Sequence, residues 1–84
     1  MKIYVYKGQT NLIGERVKKR RKELKLSQKD LAARLQVEEV MIDHDAIGNI
    51  ERGNRFVPDY EVLNFAKVLK VDVMWLLTGE EPTR

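Results

Sequence analysis

The segment SQKDLAARLQVEEVMIDHDAIGNIERG, Ser27 to Gly53, decides how this chain folds. It holds two amphipathic stretches, each with its own start signal. Ser27 and Asp30 have the spacing of a capping box, in which a hydroxyl and a carboxylate satisfy the free N–H groups that open a helix. Leu31, Ala32 and Leu35 then recur at helical spacing and form an inner face, so a helix is expected from Ser27 to roughly Leu35. Asp43 is placed to cap a following helix through Arg52, with Ile47 and Ile50 turned inward. Gly53 suits the left-handed residue that ends such a helix. Gln36 to Ile42 lie between the two stretches, seven residues by count. Two helices that cross closely are commonly joined by only about 3–4.

Working outward, Asn11 or Thr10 caps an earlier helix that reaches about Leu24, with Ile13, Val17 and Leu24 on one face. Upstream of it, Lys2 to Tyr6 is rich in aromatic and β-branched residues, a β-prone arm bounded by Gly8. A lone strand is not stable alone, so the arm either packs on the helices or pairs with another chain, and packing is favoured. Downstream, Arg55 to Pro58 is a loop and Asp59 caps a helix whose apolar face is Val62, Leu63, Ala66 and Leu69. Asp72 caps a last short helix, Val73 to Leu77, ended by Thr78-Gly79. Trp75 reads as a core anchor, with a subunit interface as the alternative. The expected fold is all-α, a compact bundle of four to five short helices with a β-prone N-terminal arm. The expected divisions are an arm at 1–10, one helical domain at 11–79 and a polar tail at 80–84.

Composition narrows the classes. At 84 residues one domain is the default, and 43% hydrophobic with 35% charged residues fits a folded soluble chain. No apolar run is long enough to span a bilayer, and MKIYVYKG lacks the core of a signal peptide. With no cysteine there is no disulfide or thiolate metal site, which is compatible with the cytoplasm. An enzyme is not expected: there is one histidine and no phosphate-binding glycine loop. Asp43-His44-Asp45 suggests a metal site only at first sight, because adjacent helical residues point to different faces. No metal, cofactor or small-molecule ligand is therefore expected. The net charge of +3 is modest, but Arg16, Lys18, Lys19, Arg20, Arg21, Lys22 and Lys25 crowd one segment. Such a cluster is the footprint of a phosphate-backbone partner, or else a solvated helix face, the reading favoured for most of Lys18 to Lys22.

Taken together, IGERVKKRRKEL, LSQKDLAARLQV, IGNIERGNR, PDYEVLNFAKVLKV and WLLTGE, in this order from Ile13 to about Gly79, resemble the helix-turn-helix family of lambdoid phage repressors and Cro, the xenobiotic-response-element type of regulator. The resemblance implies the phage-repressor fold and a sequence-specific regulator, most often a repressor, bound as a homodimer to double-stranded operator DNA. It implies no membrane role. By resemblance His44, Asp45 and Asn49 read bases: Asn49 suits adenine, Asp45 the amino group of cytosine, and His44 guanine or a phosphate. Gly48 lets the backbone approach the groove. Gln28, Arg52, Asn54, Arg55 and Arg16 match positions that contact the DNA backbone. Arg21 and Glu51 match a buried pair that holds the recognition helix to the first helix.

The chain departs from that family at Glu38 to Ile42, which look inserted before the cap of the recognition helix. Val40 and Ile42, or Met41, are expected to tuck onto the core while Glu38 and Glu39 face water. The acidic stretch also supports an alternative function: a protein-interaction module of the same fold, an antitoxin or adaptor, that meets a basic partner through residues 38–45.

Overall fold

The computed structural model describes residues 5–81, in which five helices follow one another. These are α1 (Gly14–Glu23), α2 (Gln28–Val37), α3 (His44–Glu51), α4 (Asp59–Leu69) and α5 (Val73–Thr78). Lys2 to Tyr4 of the β-prone arm lie outside the described residues. Val5 and Tyr6 are exposed rather than packed. Tyr6 and Gln9 exchange backbone hydrogen bonds of 2.7 and 3.0 Å around Lys7-Gly8. Positive φ at both Lys7 and Gly8 makes this a tight hairpin turn.

The helix starts follow local chemistry. Ser27 and Asp30 form the capping box, at 3.0 Å from the Asp30 N–H to the Ser27 hydroxyl and 2.9 Å from the Ser27 N–H to the Asp30 carboxylate. The bond from the Ser27 N–H holds the Asp30 carboxyl below its ordinary value, with help from the hydroxyl. Asp43 accepts from the Ala46 N–H at 2.8 Å, and Asp72 from those of Met74 and Trp75. Two starts differ from expectation. Pro58, not Asp59, occupies the cap of α4; its ring presets φ, and Asp59 enters the first turn, where its charge complements the helix dipole. Asn11 acts from two residues ahead of the cap of α1, accepting from the N–H groups of Ile13 and Gly14 at 3.0 and 2.8 Å.

All five helices end on a residue with positive φ: Lys25, Glu39, Gly53, Lys70 and Gly79. After the first four, paired backbone bonds close the last turn. At α2 the Glu39 N–H donates to the Gln36 carbonyl and the Val40 N–H to the Leu35 carbonyl, both at 2.9 Å. This accounts for part of the long connection. Helix α2 runs two residues past Leu35, to Val37, before it reverses at Glu39. Val40 and Ile42 then peg the connection into the core at 6% exposure each, while Met41, between them, is 74% exposed. Burying two such side chains contributes roughly 1.5–3 kcal/mol apiece. Glu38 is not given up to water; its carboxylate meets the Lys67 ammonium of α4 at 2.6 Å.

The core is Ile13 and Val17 of α1, Leu31 and Leu35 of α2, Ile47 and Ile50 of α3, Val62, Phe65, Ala66 and Leu69 of α4 and Leu76 of α5, with the two pegs. Leu63 is not part of it, at 60% exposure; the inward position falls to Phe65, which is fully buried. Trp75 is half-buried against the core, and the fully buried residue of α5 is Leu76. Gly14 sits where α1 meets the end of α3, and a Cβ there would fall on the Ile50 carbonyl oxygen.

Gly14→Ala is expected to lose at least about 1–3 kcal/mol in urea unfolding, because the obstacle is backbone that cannot step aside. Lys70→Gly is expected to gain about 0.5–1 kcal/mol by relieving a side chain held in the left-handed region. A gain of that size raises the melting temperature by several degrees, at about 4–8 °C per kcal/mol. An unchanged melting temperature would show that Lys70 carries no strain.

Candidate nucleic-acid interface

Helix α3 is two-sided. Ile47 and Ile50 are fully buried, which fixes its rotation about its axis. The opposite side, Asp43, His44, Asp45, Asn49 and Arg52, is exposed. His44 Nε2 lies 3.3 Å from the Asp45 carboxylate. At the start of α3, Asp43 and His44 join Lys29, Ala33 and Gln36 of α2 and Met41 around an open groove of about 480 Å³.

The far end of α3 is clamped. Arg21 Nε and Nη2 donate to the two oxygens of Glu51 at 2.7 and 3.1 Å, and Arg21 Nη1 donates to the Leu26 carbonyl at 2.8 Å. Their side chains are 10% and 3% exposed, so the pair is shielded from water and salt. Gln28 adds a third donor: its amide Nε2 reaches Glu51 Oε1 at 3.1 Å. The Gln28 side chain thus spends one of its two amide N–H donors on Glu51 within the fold. Asn11 completes the clamp, its Nδ2 donating to the carbonyls of Ile50 and Arg55 at 3.1 and 3.0 Å.

Gly48 does not face an open groove. It is buried beneath two side chains, and a Cβ on it would stand 3.2 Å from Arg52 Nη1 and 3.4 Å from Gln28 Nε2. Arg52 lies along the helix and donates from Nη2 to Asn49 Oδ1 at 2.9 Å. Asn54, just past α3, is exposed.

Two of the arginines expected to meet phosphate have other partners. Arg16 donates from Nε to the Leu76 carbonyl and from Nη2 to those of Leu12 and Leu77, at 2.8, 2.8 and 3.0 Å. It caps the end of α5, where partial negative charge collects. Arg55 pairs with the buried Glu61 at 2.8 Å, and that bond raises the guanidinium above its already high ordinary value. Arg20, likewise, donates to the Leu69 carbonyl at the end of α4. On α1 the cationic side chains not anchored in this way are lysines. Lys18, Lys19 and Lys22 of α1 line an open groove of about 710 Å³ together with Arg52 and Asn54, edged by Glu15 and Glu51. The sequence carries a signal for this: Lys18 and Lys22 are four apart, one turn of the same helix face, and Lys22 directly follows the arginine that reaches Glu51.

Among known proteins, residues 14–82 match the family model of a helix-turn-helix domain. The chain is 36% identical over 69 residues to the HTH-type transcriptional regulator DicA of Escherichia coli strain K12, across 82% of this chain and 47% of that protein. It thus spans about half the length of that curated relative. Its structure is similar to the P22 c2 repressor protein crystallised with a synthetic operator in the presence of Tl+, with a TM-score of 0.70 and 31% identity. That likeness covers 84% of this chain and all of the other.

Glu51→Ala would leave Arg21 buried without its partner. It is expected to cost about 3–5 kcal/mol in urea unfolding. Stability equal to that of the unaltered chain would remove Glu51 from the scaffold.

Proposed function

The chain belongs to the helix-turn-helix domain family, and from that premise we propose that it is a sequence-specific, double-stranded DNA-binding transcriptional regulator, a cytoplasmic repressor that acts as a dimer on an operator. The observation that carries this reading is the division of α3: Ile47 and Ile50 locked in the core, and a polar face from His44 to Arg52 beside a groove of free lysines. The P22 c2 repressor, whose fold this chain shares, is crystallised on a synthetic operator, and DicA is a transcriptional regulator; both support the same use here.

In this reading Lys18, Lys19 and Lys22 draw the duplex in and Arg52 and Asn54 hold its backbone, with the first N–H groups of α2 on a phosphate. The start of α3 enters the major groove and brings His44, Asp45 and Asn49 to base edges. Two copies read half-sites about 34 Å apart or a multiple of it. The rival reading, an acidic docking surface at residues 38–45, is weakened by the Glu38–Lys67 pair, which neutralises one of its two glutamates within the fold.

Selection from a random duplex pool at low salt, followed by anisotropy titration, tests the proposal. One motif is expected to emerge, and failure to enrich any would overturn it. Asn49→Ala is expected to weaken binding to the selected site by about 5- to 150-fold, the range of one good base contact. Replacing both Lys18 and Lys22 by Gln is expected to flatten the slope of log affinity against log salt by about 2. Arg16→Met is expected to leave that slope alone and lower stability instead.

A further inference from the structure

The large apolar side chains left on the surface are not evenly spread. Val5 and Tyr6 of the arm, Leu12 ahead of α1 and Phe56 after α3 are all exposed, and with the half-buried Leu77 of α5 they line one groove of about 630 Å³. Leu63 and Met74, exposed on α4 and α5, stand outside it. Single exposed apolar residues are ordinary, but a contiguous apolar groove marks a surface that another molecule covers. Its walls are set before anything binds. The Thr10 N–H and hydroxyl both donate to the Gly53 carbonyl, at 3.0 and 2.7 Å, and Asn11 holds the carbonyl of Arg55, next to Phe56. A groove fixed in this way loses little freedom on binding.

The charge of the groove points to its occupant. Charged residues make up 35% of the sequence, yet none of the described residues that line the groove is charged. A basic or acidic partner chosen by complementary charge would find nothing to pair with here. Two copies of one chain related by a two-fold axis are different. Each presents the same patch to the other, so any charge in the patch is brought near its own like. An uncharged apolar face avoids that repulsion. Ile3 and Tyr4, which directly precede Val5 in the sequence, add to the apolar character of the arm. The groove adjoins the clamped end of α3 through Thr10 and Phe56, and its lining includes none of the residues assigned to bases or phosphate. We propose that this groove is the face by which two copies of the chain pair, leaving the start of α3 and the lysine groove of each copy uncovered. This deepens the reading of the chain as a dimeric DNA-binding regulator and rests on it.

The test is sedimentation equilibrium of the chain without DNA, from about 1 μM to about 1 mM. The fitted mass is expected to rise across that range from one chain towards two. Tyr6→Glu and Phe56→Glu each put a carboxylate into the apolar contact and are expected to weaken the dimer about tenfold or more. Leu63→Glu and Met74→Glu place the same charge on exposed apolar residues outside the groove, and are expected to leave the dimer as it was. An unchanged helical circular-dichroism spectrum checks that each variant is folded. Tyr6 is exposed and lies ahead of all five helices, so its variant decides the matter even where Phe56→Glu loosens the fold. A chain that stays monomeric across the range overturns the proposal, as does a dimer that survives both groove variants. A dimer broken equally by Leu63→Glu or Met74→Glu overturns it as well. The DNA-binding reading fails separately: dimers that behave as expected but select no motif from a random duplex pool would remove the operator and leave the interface standing.

Discussion

One carboxylate joins three helices. Glu51 at the end of α3 accepts from Arg21 of α1 and from Gln28 at the start of α2. The arrangement needs such a centre because the helices are short, and helices of six to eleven residues are marginal on their own. Apolar packing holds them together, but it is non-directional and fixes rotation only loosely. Hydrogen bonds to a carboxylate have direction. Burying that charge costs free energy, and three donors with little solvent nearby are what offset it. The rotation of α3 follows from this contact together with Ile47 and Ile50, and so does the choice of side chains that face outward.

The basic residues divide by chemistry. Arginine offers several donors in a rigid plane, and Arg16 and Arg20 use it to close the carbonyl ends of α5 and α4. Lysine is a hydrated point charge on a flexible stem, and Lys18, Lys19 and Lys22 remain on the surface. A charge count over the first helix mixes these two populations. Arg16 keeps its charge, because its carbonyl partners are neutral, but its guanidinium is anchored, whereas the lysine ammonium groups are free to move.

The legible parts of the fold were those whose cause lies within a few residues. The capping box of Ser27 and Asp30, the caps at Asp43 and Asp72 and the glycine at the end of α3 are all of this kind. The Arg21–Glu51 pair came from family resemblance, since no local pattern joins residues thirty apart. The tasks of Asn11, Arg16 and Arg55 were not legible from spacing; Asn11 and Arg16 meet partners 39 to 61 positions away. Glu39 hid a chain reversal, because a glutamate in the left-handed region leaves no signature where a glycine would. Phe65 rather than Leu63 completes the inner face of α4 because Val62, Phe65, Ala66 and Leu69 follow at three- and four-residue steps, and Leu63 falls outside that stripe. At Gly48 the missing side chain is visible in the sequence, but what fills the space, Arg52 and Gln28, is not.

The positions of Gly14, Asn11 and Glu51 carry a mechanical meaning. All three grip α3 at its C-terminal end, while the connection joins it at the other. The helix is therefore set in place like a blade in a handle, and the strip of chain leading to its tip bears little of the load. Such a joint accepts added length without moving what it leads to, provided the added residues find apolar seats, as Val40 and Ile42 do. The surface beside the start of α3 is thus set by the connection, while the grip on the helix lies at its other end.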